Sequence, residues 1–246
     1  METQPVGIAE TAEYVRRLLS QKARQAFPAC AIAAVPVDAS SPDKTGFFSS
    51  SLPFQIAGKA GIAPEQAAIC LADQIQLDRA VFSRVEPAGG FLHFYPADPW
   101  YTACAAALPL PDTSLCWAAT EEDFARCLPR TPAQRQIQQT FLRLCSVLRN
   151  CKAEGMLCLP CPDAWLSLLC APSEQRLIFS LCRLAESDPA ARTVLLLETA
   201  RSFSYFYDTL RIWAADPRRT AARAALSYSC GVWMQTKMEQ AGLFPR

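Results

Sequence analysis

Apolar residues recur at helical spacing through most of this chain and at alternate positions in one short stretch. Ile8, Ala12, Val15, Leu18 and Leu19 form the first stripe, which predicts an N-terminal helix. The run Cys30 to Val37, CAIAAVPV, reads as a short buried strand ended by the turn-rich DASSPDKTG. A helix through Pro53 to Ala60 is expected next. Another starts at Ala63-Pro64-Glu65, with proline at its first position and Ala68, Leu71 and Ile75 inward. VFSRVE and GFLHFY then alternate like the arms of an antiparallel hairpin around Pro87, Ala88 and Gly89.

The pattern changes at Pro96. Prolines at 96, 99, 109, 111, 129 and 132 punctuate a stretch whose one helical candidate is ATEEDFARC. Beyond it every predicted element is a helix. Thr131-Pro132 is a capping hydroxyl before a helix-compatible proline, and Ile137, Phe141, Leu144, Cys145, Leu148 and Cys151 fall on one face of the helix that follows. A turn or two fits AWLSLLC. Ser173 is placed to cap a helix with Leu177, Ile178, Leu181 and Leu184 inward. Arg192 to Trp213 carries the stripe Leu196, Ala200, Phe203, Phe206, Tyr207 and Leu210, and Asp216-Pro217 opens a last helix that stops at Gly242. The expected organisation is an α+β domain over 1–96, a proline-rich connector over 97–131 and an all-α bundle over 132–246.

The net charge of +1 divides unevenly: residues 1–130 hold 10 Lys+Arg and 14 Asp+Glu, and residues 131–246 hold 14 and 9. A basic C-terminal half suits a phosphate backbone. The N-terminus carries acids early and lacks the apolar region of a signal peptide, and no apolar run reaches the roughly 20 residues of a membrane span, so a cytoplasmic protein is expected. The 12 cysteines mostly occupy helical stripes and read as reduced thiols. Cys158-Leu-Pro-Cys161 has CxxC spacing, with Cys151 and Cys170 nearby; the irregular spacing of the set argues against a zinc site without deciding it.

Two groups of motifs resemble the arginyl-tRNA synthetases. The stretch FFSSSLPFQIAGKAGIAPEQAAICLADQI, followed by VEPAGGFLHF, resembles that family's additional N-terminal domain. FLRLCSVLRNCKAEG, which contains Arg143, Cys145, Ser146, Leu148 and Arg149, resembles the first helix of its anticodon-binding domain, the DALR fold. SFSYFYDTLRIW, through Phe203, Phe206, Tyr207 and Arg211, and RRTAARAALSYSCGVWMQTKMEQAGLF resemble the later helices. The resemblance implies an α+β domain that touches the elbow of tRNA, followed by a DALR-like helical bundle that holds the anticodon arm.

On this sequence the family's base-reading positions fall at Ser51, Phe54 and Ile56, beside Gln55. Serine replaces the usual asparagine, and Phe54 either stacks on an unpaired base or belongs to the core. Candidate contacts in the basic half are Arg135, Arg143, Arg149, Tyr207, Arg211, Arg218 and Arg219, with Phe203, Phe206 and Leu210 as core. The family's terminal motif is reduced here to Phe-Pro-Arg.

The family activates its amino acid with a His-x-Gly-His element, and this chain holds one histidine, His93, and 9 glycines with no phosphate loop. His93 lies within GFLHFY and reads as a strand side chain. The acids Glu121, Glu122 and Asp123 suit a helix start. No cofactor, metal or DNA is implied. The expectation is a non-catalytic tRNA-binding protein whose RNA is an arginine tRNA. The alternatives are a protein-interaction module docking on a synthetase or a tRNA-modifying enzyme, and a subunit serving a separate catalytic chain.

Overall fold

A computed structural model describes residues 4–39, 47–108, 115, 119–120, 122, 124, 129 and 131–244. The chain divides into two compact units, Met1–Trp100 and Tyr101–Arg246.

In the first unit, helix α1 (Ile8–Ala26) buries Thr11, Ala12, Val15, Leu19 and Ala23, the face predicted by its stripe. Strands β1 (Asp38–Ala39), β2 (Phe48–Ser50), β3 (Phe82–Ala88) and β4 (Phe91–Pro96) form one antiparallel sheet in the order β1-β2-β4-β3. Helices α2 (Leu52–Ala60) and α3 (Pro64–Gln74) lie between β2 and β3 in sequence. The hairpin turn is Gly89-Gly90, both with positive φ, so Pro87 and Ala88 belong to β3 itself.

Alternation sorts β4 into two faces. Leu92 and Phe94 are fully buried, and Phe91, His93 and Tyr95 face outward. The inner face carries an aromatic cluster: Phe48 stands edge-on to both Phe82 and Trp100, with centroids 6.0 Å apart in each pair. The Trp100 indole donates to Thr11 Oγ1 at 2.9 Å, which satisfies its one polar group. Each such ring contributes about 1.5–3 kcal/mol on burial, and this cluster is what binds sheet to helix.

The expected strand at Cys30–Val37 does not form. Residues 31–37 have no strand pairing, and β1 begins at Asp38. Pro36 has no N–H to give a ladder, and its carbonyl is taken by the Ser50 hydroxyl at 2.6 Å.

The second unit is helical. Helix α4 (Asp98–Ala107), whose first three residues belong to the first unit, occupies the start of the proline-rich stretch. Of ATEEDFARC, Ala119, Thr120, Glu122 and Phe124 are described; Glu121, Asp123 and the rest lie outside the described residues. Then come α5 (Pro132–Ala153), a turn α6 (Asp163–Leu166), α7 (Pro172–Ala185), α8 (Arg192–Thr209) and α9 (Pro217–Gln240). The Thr131 hydroxyl accepts from Gln134 N and Asp216 accepts from Arg218 N, so both expected caps form. Ser173 does not cap α7. The chain enters at Ala171, whose N–H is taken by Glu174 Oε2 at 2.8 Å, and Ser173 is buried in the first turn. Helix α8 ends four residues earlier than its stripe suggested, because Leu210 turns extended.

The predicted stripes are the bundle's core except at Tyr207 and Leu210, which are half-buried, Leu210 because it has already left the helix. Ile137, Phe141, Leu144, Leu148, Leu177, Leu181, Leu196, Phe203 and Phe206 are all fully buried. Phe244, from the short C-terminal motif, stands edge-on to Phe124 and Phe141 at 5.5 Å each. A buried ion pair crosses the bundle: Arg223 Nε donates to Glu174 Oε1 at 2.7 Å, and Arg223 Nη1 donates to the carbonyl of Arg211 at 2.6 Å. Among the described residues no helix is long and apolar enough to cross a membrane.

Candidate nucleic-acid interface

The first unit presents exposed aromatic rings at the start of α2 and on the outer face of the sheet. Phe54, in the first turn of α2, is 43 % exposed, and its ring stands edge-on to Phe91 with centroids 5.0 Å apart. Phe91 is itself 39 % exposed and stacks against His93, with centroids 6.1 Å apart and planes at 27°. The three rings come from one helix and one strand and make a stepped apolar surface. His93 Nδ1 is buried there and has no hydrogen-bond partner among the described residues.

The remaining outward ring is committed. The Arg84 guanidinium lies 3.7 Å over Tyr95 and its Nε reaches Glu86 at 2.7 Å. The hydrogen bond from Tyr95, with the nearby Arg84 charge, holds the Glu86 carboxyl below its usual range. Burial, with that same hydrogen bond, pushes the Tyr95 phenol up.

Of the base-reading positions, Phe54 is exposed as a stacking residue must be. Gln55 is exposed beside it, and Ser51 is half-buried at the N-cap of α2. Ile56 is fully buried and is part of the core, because it sits half a turn round from Phe54 and faces the sheet. Phe91 and His93 were not among the expected contacts. Their signal was present in the alternation of GFLHFY, which puts one set of rings on the side opposite the core.

In the second unit, Arg143 of α5 meets Tyr207 of α8. The guanidinium lies 4.3 Å over the ring, and Nη2 donates to Asp208 Oδ1 at 3.0 Å. Tyr207 rests in turn on the buried Phe203, with centroids 6.1 Å apart. A second pair escaped sequence reasoning: Arg176 of α7 lies 5.2 Å over Tyr205, which is 46 % exposed. Tyr205 is an aromatic residue off the apolar stripe of its own helix, and that is the clue it offered. Two arginine–tyrosine stacks thus border α8.

The other expected cations are dispersed. Arg135 and Arg149 are exposed on α5 but lie 14 residues apart, about 21 Å along the axis. Arg211 is exposed past the end of α8, with its carbonyl engaged by Arg223. Arg218 folds back on Asp216 through Nε at 3.1 Å and Nη2 at 3.0 Å. Arg219 is half-buried, and its Nε has no partner among the described residues.

No group of three or more metal-ligating side chains occurs among the described residues. The Cys161 thiol is pushed up to about 11 by burial and by Cys158 and Asp163. Among the described residues the cysteines carry thiols and form no disulfide.

Comparison with known proteins matches residues 13–95 to the family described as the arginyl tRNA synthetase N terminal domain. The match runs from within α1 through β4 to Tyr95. It therefore includes Phe54, Phe91 and His93, and marks this part of the chain as related to the arginyl-tRNA synthetases. No curated protein and no solved structure matches the chain.

Proposed function

We propose that this chain binds tRNA without charging it, gripping the elbow with its first unit and the anticodon arm with its second, a DALR-like bundle. The observation that carries the reading is the exposed Phe54–Phe91 pair, with the half-buried His93 ring stacked behind it, inside the stretch that matches a tRNA-synthetase domain. Unpaired bases are held by stacking on such rings, at about 1–3 kcal/mol per base. The Arg143–Tyr207 and Arg176–Tyr205 stacks on either side of α8 supply the matching chemistry for an anticodon loop: a charged plane for phosphate and an aromatic face for a base. The preferred RNA is an arginine tRNA, by the same family relation.

Aminoacylation is assigned to another protein. One histidine cannot form a His-x-Gly-His element, so these 246 residues do not hold that phosphate grip. The chain acts in the cytoplasm, where tRNA is used.

A gel shift with arginine tRNA and a non-cognate tRNA over a salt series tests the reading. Binding that weakens steeply with salt and prefers arginine tRNA supports it. Equal affinity for both defeats the arginine-tRNA preference, and no binding at low salt defeats the reading as a whole and favours a purely protein-binding role. Charging of arginine by the purified chain with ATP defeats the non-catalytic assignment.

A further inference from the structure

In the second unit, the loop between α7 and α8 meets the last turns of α9, and each side reaches across to the other. Lys237 Nζ of α9 donates to the carbonyl of Ala185, the last residue of α7, at 3.2 Å. Arg192 Nη1, at the start of α8, donates to the carbonyl of Gln240, the last residue of α9, at 3.1 Å. Lys237 also lies 5.4 Å over the ring of Trp233, one turn back on its own helix. Each cation thus meets a helix C-terminus, and neither pairs with a carboxylate among the described residues. Lys237 is only 6 % exposed. Burial, with the nearby Arg192 charge, pulls its ammonium below the usual range.

Three buried donor atoms in this corner have no partner among the described residues: Ser187 Oγ, Arg192 Nε and Trp233 Nε1. A buried donor without an acceptor costs free energy, and native structures seldom keep several together. The acids nearby in the chain do not answer them. Asp188 Oδ1 accepts from the Ala191 N–H at 2.8 Å, and Glu239 Oε1 accepts from Gln235 Nε2 at 2.9 Å. Glu186 is exposed and is engaged by groups other than Lys237 and Arg192. The first turn of α8 contains no acid. Donors and positive charge therefore gather here, and acceptors are what the corner lacks.

We propose that this corner binds a phosphate group, held by the Lys237 ammonium, the Arg192 guanidinium, the Trp233 indole N–H and the Ser187 hydroxyl. Two cations without a carboxylate favour a doubly charged anion. A phosphate group has enough oxygens for all four donors, whereas a carboxylate does not. Ser187, Arg192 and Trp233 are half-buried, so the corner lies at the surface of the bundle. Their unpartnered atoms are sealed in this structure, and the anion reaches them as the long Arg192 side chain turns aside. Arg192 and Tyr205 lie 13 residues apart on α8, about 20 Å along the axis. The site is therefore separate from the arginine–tyrosine stacks, and its failure would leave the tRNA reading untouched.

The test titrates the full chain with inorganic phosphate, against chloride at equal ionic strength, and follows the indole N–H signals by NMR. The Trp233 signal is identified by its loss in Trp233→Phe. Phosphate is expected to shift that signal saturably, and chloride to leave it in place. Arg192→Gln, at a half-buried position, is expected to weaken phosphate by at least about tenfold with the circular dichroism unchanged. Lys237→Met should do the same, and if it fails to fold the Arg192 variant alone decides. Uridine 5′-phosphate and uridine tell where the group comes from. A response to the nucleotide places the site on a phosphate ester, and a response to inorganic phosphate alone places it on the free ion. No saturable shift with either phosphate, an equal shift with chloride or uridine, or parental affinity in Arg192→Gln overturns the proposal.

Discussion

The ring of Phe54 stands edge-on to that of Phe91, centroids 5.0 Å apart, and both rings keep more than a third of their surface in water. A pair of phenyl groups of this kind is unusual outside a core, because each could have been buried with its neighbours at a gain. The pair joins α2 to β4, so its geometry is set by two rigid elements.

The first expectation follows from that exposure. Phe54→Ala and Phe91→Ala should each weaken tRNA binding by about 1–3 kcal/mol, roughly 5- to 150-fold. The double variant should lose less than the sum, because the two rings form one surface. Melting temperatures should shift little. A gel shift with thermal unfolding of the same variants decides it: a large loss of stability with unchanged binding would return both rings to the core.

Gly90 sets the entry to that surface. Its φ is +77°, and a Cβ there would stand 2.7 Å from Phe54 Cζ and 2.9 Å from Pro64 Cβ. Gly90→Ala therefore adds the left-handed penalty of about 1–2 kcal/mol and also displaces the Phe54 ring. Loss of urea stability together with loss of tRNA binding is expected. Gly89, with a φ of +56° and open space around it, should show the strain without the binding defect.

Why some of this was readable in the chain and some was not is a matter of local against distant physics. The stripes of α1 and α5, the hairpin alternation and the caps at Thr131 and Asp216 are local, and each formed where its pattern lay. The run at Cys30–Val37 is apolar enough for a strand, but strands need a partner. Residues 31–37 found none, and Pro36 barred the last step. Ile56 and Phe54 lie two residues apart in one motif, and only packing against the sheet tells which turns inward. Likewise Arg143 reads as a free cation in the sequence, and only the fold brings Asp208 beside it.

That last contact yields a prediction with an uncommon sign. Asp208 holds Arg143 at 3.0 Å on an exposed face, in competition with any phosphate. Asp208→Asn should free the guanidinium and tighten tRNA binding by about two- to fivefold, the range of an exposed pair. Arg143→Ala should weaken it and flatten the salt dependence. Weaker binding by the Asp208 variant would mean that the pair acts as a unit, or that α8 faces away from the RNA.

Asp216 gives a dependence on pH. Its carboxylate is held below its ordinary 3.8 by the Arg218 side chain, then by the Arg218 N–H and Arg219. A carboxyl lowered in the folded state contributes stability that is fully present above 3.8 and disappears as pH falls through the folded value. The difference in unfolding midpoint between the parent chain and Asp216→Ala should therefore hold at neutral pH and shrink below that point. A difference that stays constant into acid would assign the cap to shape alone.

The buried pair of Glu174 and Arg223 makes the sharpest claim about what holds the second unit together. Glu174 is 1 % exposed and takes two bonds: Arg223 Nε at 2.7 Å and the Ala171 N–H at 2.8 Å. Arg223 also engages the carbonyl of Arg211, where the chain leaves α8. The network thus fixes the first turn of α7, the loop after α8 and the body of α9 to one another. Removing one partner leaves a buried charge with nothing to answer it. Arg223→Met should cost about 3–5 kcal/mol, and Glu174→Leu a similar amount. The two together should cost much less than their sum, since no charge is then stranded. Urea unfolding of the three variants reads this directly. Additive losses would show that each side chain acts through packing alone. A strong coupling would make this pair the reason that Arg211, an exposed candidate contact, is held where an RNA could meet it.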